Sequence, residues 1–463
     1  MSVSGITLQA YETDHIVINT ETMPAGLLSE LLRRLTVENP AYRDAVKFGR
    51  WTGSLAAELT YYKRLDGDRL AMPRGAGAIL QDLCRRYRVE LELRDGTVTA
   101  PAVDFAPRIR LSDAQERAVA DVLAQPKGLL SAPAGSGKTV MALAIIARRR
   151  QPVLWLTHTK ELANQARQRA SQFLCLGPSE IGMLGAGKRT LGERLTIGML
   201  QTLARGVPDE VRQRVGHVIL DEAHHAPAQQ VAATLSQLPA HFLLGLTATP
   251  YRRDGLDAVI SFHLGPVTAE LVDEDLAERL VQPRIFRRDT GVSPVGDSFT
   301  RIVLQLVANG RRNELIIGDV VRAVQQGRSA LVLSERVDHV EYLADRLAYA
   351  GVAVGVLHGG MSKAERDAVR ADLDAGQLQA LVATSQLVGE GFDVPELDTL
   401  FLATPISWHG RLTQYVGRVR RTADSKDDAI VIDYCDDHPM LWASWAKRRD
   451  AYDNAGYQRK RVA

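Results

Sequence analysis

Apolar residues along this chain gather in short runs of three to six, separated by longer stretches in which they recur every three or four positions. Short unbroken runs read as strands buried on both faces, and the wider spacing reads as helices lying over them. Between Pro107 and Pro283 the runs are Gly128–Ser131, Val153–Leu156, Leu195–Ile197, His217–Leu220 and Phe242–Leu246. The alternation restarts after Arg311, with Ala330–Leu333, Val352–Leu357, Ala380–Val382, Thr399–Ala403 and Ala429–Ile432. This pattern predicts two tandem α/β domains with parallel sheets. Between them, Arg284 to Gly310 reads as a connector and a first strand.

The residues before about Phe105 are patterned differently. A strand-like run, Ile6 to Ile18, precedes a helix that opens at Pro24 and runs through Leu35. Asp66-Gly67 predicts a hairpin turn between Leu59–Tyr62 and Arg69–Met72. A helix over Ala76–Tyr87 and a strand over Val89–Leu93 complete a small α+β unit. The expected domains are therefore 1–105, 106–283 and 284–463.

Composition narrows this picture without redirecting it. The formal net charge is +2 over 463 residues, so polyanion binding must come from local clusters. One cluster lies between Arg33 and Arg88, with twelve basic against six acidic residues. A second is formed by Lys447-Arg448-Arg449 and Arg459-Lys460-Arg461. Cys84, Cys175 and Cys435 are far apart, which reads as buried thiols and not as a zinc site or a disulfide framework. No stretch has the twenty or so apolar residues of a membrane span, and Met1 to Ala10 lacks a signal-peptide pattern. Cytoplasm is the expected location.

Candidate chemistry begins at Ser131 to Val140, S-A-P-A-G-S-G-K-T-V, set between the run ending at Ser131 and a helical stretch to Arg149. That is the strand–loop–helix context of a phosphate loop. The small residues Pro133, Ala134, Gly135, Ser136 and Gly137 let backbone N–H groups approach phosphate oxygens at a helix N-terminus. Lys138 would reach the outer phosphates of ATP, and the Thr139 hydroxyl would ligate Mg²⁺. Some eighty residues on, the run Val218–Leu220 leads into Asp221-Glu222-Ala223-His224. Asp221 is placed to hold the Mg²⁺ hydration shell, and Glu222 to orient and deprotonate the attacking water.

On these residues the chain resembles the DEAD/DEAH-box helicases of superfamily 2. Lys138-Thr139 matches motif I, Asp221 to His224 motif II, and Leu246-Thr247-Ala248-Thr249-Pro250 motif III. Gln115 resembles the glutamine that reads the adenine edge, a task suited to a group that both donates and accepts, although it also reads as a plain helix N-terminal residue. In the second domain Gln414 to Arg421 is similar to motif VI, Q-x-x-G-R-x-x-R. The resemblance makes Arg421 the arginine finger and Arg418 its neighbour at the phosphates, a role suited to a planar, permanently charged fork. Thr384 to Pro395 resembles motif V, with Gly391 permitting close approach and Asp393 facing the ribose. Ser334-Glu335-Arg336 and His358-Gly359-Gly360-Met361 match further family segments. The likeness runs from Arg110 to Cys435 and implies two RecA-like domains preceded by the small α+β domain.

By family position, nucleic acid would meet Thr157, His158 and Thr202 in the first domain and Arg336, His358 and Thr384 in the second. Hydroxyls and N–H groups suit backbone contacts without base readout. Leu156-Thr157-His158 departs from the family's Pro-Thr, and Lys160-Glu161 also reads as the first turn of a solvated helix. Arg253-Asp254 resembles part of an element of XPB-type repair helicases, or a loop ion pair. The N-terminal region resembles the small DNA-engaging domain of XPB and UvsW helicases. Its basic and aromatic residues put Arg50, Trp51 and Arg74 on a contact face, with Trp51 in the core as the other reading.

The expectation is an ATP-dependent helicase or branch-remodelling translocase, hydrolysing ATP in an interdomain cleft and acting on DNA sooner than RNA. A duplex translocase that never separates strands, and an ATP-gated clamp or sensor, share the same motifs.

Overall fold

The computed structural model describes residues 6–133, 135–248, 257–272, 275, 281–385, 397–405, 412, 415–416, 419, 428–454 and 457–462. For 257, 363, 454 and 458–462 only the backbone is described. The chain forms two compact bodies, with the boundary near Leu271 and Val272.

Among the described residues the first body holds two large sheets and a separate two-stranded pair. The smaller has five strands in the order Lys63–Leu65, Arg69–Pro73, His15–Asn19, Thr7–Glu12, Glu90–Asp95. Its inward residues alternate along each strand, Leu8 and Ala10 on one and Ile16 and Ile18 on the next. Helices Ala25–Arg34 and Gly77–Tyr87 supply Leu27, Leu31, Leu80 and Leu83 to the same core. The run Ile6 to Ile18 is thus two antiparallel strands. The Asp66-Gly67 turn stands where the dipeptide places it, but the partner of Arg69–Pro73 is the basic strand Lys63–Leu65. Glu58–Thr60 pairs instead with Thr36–Glu38. A further helix, Pro40–Lys47, starts at Asn39, whose side chain accepts from the Ala41 N–H, with proline in the first turn.

The larger sheet has eight strands in the order Lys188–Thr190, Ile181–Gly185, Leu195–Met199, Val153–Thr157, His217–Leu220, Phe242–Thr247, Lys127–Ser131, Val267–Glu270. All neighbours are parallel except the first pair. Its central strands are buried at every residue, which accounts for the unbroken apolar runs.

The small sheet is bonded into this lobe through Arg74. The sequence reading put Arg74 on a nucleic-acid face, but the side chain is only 3% exposed. Its Nε donates to Glu12 Oε1 at 2.8 Å, and its other nitrogens reach the Ala240 and His241 carbonyls at 2.5 and 3.3 Å. Glu12 also accepts from Lys127 Nζ, at the start of the strand that leads to the phosphate loop. A guanidinium can be buried this way because a carboxylate and backbone carbonyls replace its water. Beside it, a Cβ on Gly75 would stand 2.3 Å from the Gly265 N and 2.4 Å from the Ser261 O, so only glycine allows this approach. Phe262, from the lobe, packs into the core of the small sheet.

The second body has a seven-stranded parallel sheet in the order Val354–Leu357, Ala380–Thr384, Ala330–Ser334, Thr399–Leu402, Ala429–Cys435, Pro283–Asp289, Gln458–Val462. The stretch expected to be connector and first strand also contains a helix, Phe299–Ala308. Leu412, Tyr415, Val416 and Val419 are buried in the core at the spacing of one helix face. Cys84 and Cys435 are buried as expected, whereas Cys175 is exposed at the end of its helix. Among the described residues no helix is long and apolar enough to cross a membrane.

Candidate nucleotide and nucleic-acid sites

Strand Lys127–Ser131 delivers the phosphate-loop segment to helix Lys138–Arg149 through Gly137, which caps the helix at φ +84°. The Ala132 N–H donates to the Thr247 carbonyl at 3.0 Å, which ties the loop to the neighbouring strand. Lys138 is buried in the first helical turn, its Nζ donating to the Ala132 carbonyl at 2.9 Å. Thr139 follows it, and Ser136 is buried. Pro133 and Gly135 are partly buried, and Ala134 lies outside the described residues. A Cβ on Gly137 would meet Gln115 Nε2 at 2.7 Å, so the Gln115 amide lies against the loop. Gln115 Oε1 accepts from the Ser112 N–H at 3.0 Å, and Ser112 Oγ accepts from the Gln115 N–H, which makes the pair a capping box. The glutamine is thus both a helix cap and a neighbour of the loop.

Asp221 follows strand His217–Leu220, its N–H donating to the Leu156 carbonyl at 3.0 Å. Burial and the adjacent Glu222 charge push its carboxyl up to about 7, against the pull of Lys138. Two crowded, poorly hydrated carboxylates beside a lysine form a donor set whose charge a divalent cation relieves. Glu222 takes a left-handed backbone, φ +46°. Its Oε2 is 3.5 Å from His224 Nδ1, and the same nitrogen is 3.1 Å from Thr247 Oγ1. Burial holds the His224 imidazole down at about 3, so it is neutral near pH 7. His225, given no role by the sequence reading, stacks on His224 with ring centroids 4.1 Å apart. The signal for it was the His224-His225 doublet together with His158 in the segment that departs from the family pattern.

The structure separates the residues expected at nucleic acid. Thr157 has no exposed surface, and its hydroxyl faces the Thr159 carbonyl and Met199 Sδ, so this side chain is not a surface contact. It sits on a central strand whose both faces are covered, which is the physical reason for the correction. His158 is half-buried and Thr202 exposed. Arg336 is exposed, 3.5 Å from Asp338. His358 lies 3.4 Å from Glu341, and Thr384 is largely buried at a strand end. Trp51 is 90% exposed, so it is not core. Arg50 is exposed with its guanidinium 5.4 Å from the Phe48 ring centroid. Gly391, Asp393, Gln414, Arg418, Arg421, Thr249, Pro250 and the Arg253-Asp254 pair lie outside the described residues.

Residues 108–252 match the family described as type III restriction enzyme, res subunit, and 313–423 match the helicase conserved C-terminal domain. The chain belongs to the superfamily 2 helicases. Among its relatives, "Probable helicase D10" of Escherichia phage T5 is 24% identical over 76% of this chain and 77% of its own. The "DNA 3'-5' translocase XPB2" of Sulfurisphaera tokodaii is 29% identical over 42% of this chain and 44% of its own. Yeast (S. cerevisiae) Dbp5, solved bound to RNA and ADP BeF3, shares the fold with TM-score 0.57 and 17% identity, over 76% of this chain and 90% of its own. The chain spans 77%, 63% and 65% of three curated relatives. As a superfamily 2 helicase related to XPB, the protein is an ATP-hydrolysing enzyme that acts on nucleic acid.

Proposed function

We propose that this helicase is a DNA-acting motor, either a strand-separating helicase or a branch-remodelling translocase. The observation that carries the site assignment is the gathering of buried Lys138 and Asp221 and half-buried Glu222 near Thr247, at one edge of the large sheet. That edge is where open α/β sheets bind ligands. Lys138 and the backbone of 133–137 hold the ATP phosphates, Thr139 and Asp221 hold Mg²⁺, and Glu222 takes the proton of the attacking water. Bound Mg²⁺ supplies charge neutralisation at the phosphates. Gln115 is assigned to the base, and Gly391 and Asp393 are assigned to the ribose on the motif resemblance alone. Arg418 and Arg421, assigned on the motif resemblance, stabilise the charge that develops at the γ-phosphate.

Support for nucleic-acid contact in the N-terminal region comes from the end of helix Pro40–Lys47 and the loop after it, where exposed Phe48 and Trp51 alternate with Lys47 and Arg50. Such a surface stacks bases and neutralises phosphates. The XPB-type relatives point the same way. His158, Thr202, Arg336, His358 and Thr384 remain assigned to the tracking surface.

The experiment is ATP hydrolysis measured with single-stranded, duplex, forked and four-way DNA and with RNA, beside strand-displacement and triplex-displacement assays. Stimulation by branched DNA with strand displacement supports the reading. Stimulation by RNA alone would sink the choice of DNA, and triplex displacement without unwinding would make the protein a pure translocase. Lys138→Ala is expected to abolish turnover. Arg421→Ala is expected to keep nucleotide binding and lose on the order of 10³ in rate.

A further inference from the structure

We propose that His225 is a positioning residue that couples the His158–Lys160 segment to Glu222 through a stack of imidazole rings. The inference rests on the reading above, in which that segment meets nucleic acid and Glu222 activates water. Glu222 holds a left-handed backbone, uncommon for a residue with a side chain, so its surroundings help to fix it. One of those surroundings is His224, whose Nδ1 lies 3.5 Å from Glu222 Oε2 and 3.1 Å from Thr247 Oγ1. Another neighbour of the His224 ring is His225, at 4.1 Å between centroids and 38° between planes. His225 in turn faces His158, at 6.3 Å and 48°.

His158 sits at the joint between two fixed points. Before it, Thr157 ends a fully buried strand. After it, Thr159 caps helix Lys160–Leu174, its Oγ1 accepting from the Leu162 N–H at 3.3 Å. A strand of nucleic acid pressing on this joint displaces the His158 ring against His225, and His225 against His224. The displacement passes along the series because each ring neighbours the next, at 6.3 and 4.1 Å between centroids. Glu222 is then set by whether the tracking segment is loaded.

The test uses the full chain, with an oligothymidylate and a linear duplex as probes, and reads the ATPase rate with saturating DNA divided by the rate without it. His225→Ala is expected to lose about tenfold of this stimulation, with the DNA-free rate and the DNA Kd within about twofold of the parent. His225→Phe, which keeps a ring in place, is expected to recover most of the loss. His158→Ala also lowers stimulation, and because the residues act in series the double variant is no worse than the poorer single one. Full stimulation in His225→Ala overturns the proposal, as do losses that add in the double variant or a His225→Phe no better than alanine. A parent protein stimulated by neither DNA probe overturns the function proposed above. A stimulated parent matched by His225→Ala overturns this inference alone.

Discussion

Thr247 Oγ1 and His224 Nδ1 share a hydrogen bond of 3.1 Å in a region nearly closed to solvent, joining the strand beside the phosphate loop to the segment that carries Asp221 and Glu222. Thr247→Val keeps the shape and removes the hydroxyl. We expect ATP affinity within about twofold and kcat lower by about tenfold, because Glu222 loses part of its support while the phosphate loop stays intact. Steady-state kinetics separates the two, and a loss confined to KM would contradict the expectation.

Gly137 combines a positive φ with a close neighbour, since a Cβ at this position would stand 2.7 Å from Gln115 Nε2. Gly137→Ala should weaken nucleotide binding by more than about tenfold while far-UV circular dichroism stays unchanged. Adding Gln115→Ala removes the clash but leaves the backbone strain and takes away the base contact and the helix cap, so binding should not recover. Titration with a fluorescent nucleotide reads both effects.

Arg74, Glu12 and Lys127 make one buried charge cluster in which Glu12 serves two cations. Glu12→Gln leaves both without their counter-charge, and Arg74→Ala leaves the carbonyls of Ala240 and His241 without a donor. Each change is expected to destabilise the first body by about 3–5 kcal/mol, read as a lower urea midpoint. By contrast, Arg50→Ala or Trp51→Ala should leave that midpoint in place and weaken DNA binding.

Stability should fall on mild acidification. Burial pushes His217 well below its ordinary value, helped by Arg149, and holds His263 and His339 at about 4. A histidine whose folded value lies below its unfolded value binds more protons when unfolded, so stability is complete above about 6.5 and is lost as pH drops from there. For His263 and His339 the loss continues to about 4, at no more than about 1.4 kcal/mol per pH unit for each. Denaturation midpoints at pH 7, 6 and 5 test this. His339→Gln should flatten the slope of the second body while lowering its stability at pH 7, since His339 bonds Ser334 and Asn313.

The sequence was most legible where one physical constraint acts alone. Strands buried on both faces have to be apolar throughout, so Val153–Thr157 and Ala330–Ser334 stand out from their runs. The phosphate loop is legible because phosphate approach demands small residues before Lys138. What was hidden depended on distant partners. Lys63–Leu65 and Gln458–Val462 are strands rich in basic residues, and only the neighbour each pairs with makes them strands. Phe299–Ala308 is a ten-residue helix that lacks a side-chain cap to announce it. Arg74 looked like a surface cation because its carboxylate lies 62 residues away. Thr157 was assigned by its position in the family motif, which does not reveal that the strand it ends is covered on both faces.

Glu12 neutralises cations from both the small sheet and the motor lobe, and this sets terms for how the gene can change. A lineage that replaced Glu12 alone would strand Arg74 and Lys127 in a dry seam, and one that lost either cation would leave the acid overcharged or undercharged. The three positions should therefore drift as a set. Swapping the N-terminal segment for that of a distant relative should give insoluble protein unless the donor also brings a residue compatible with Lys127.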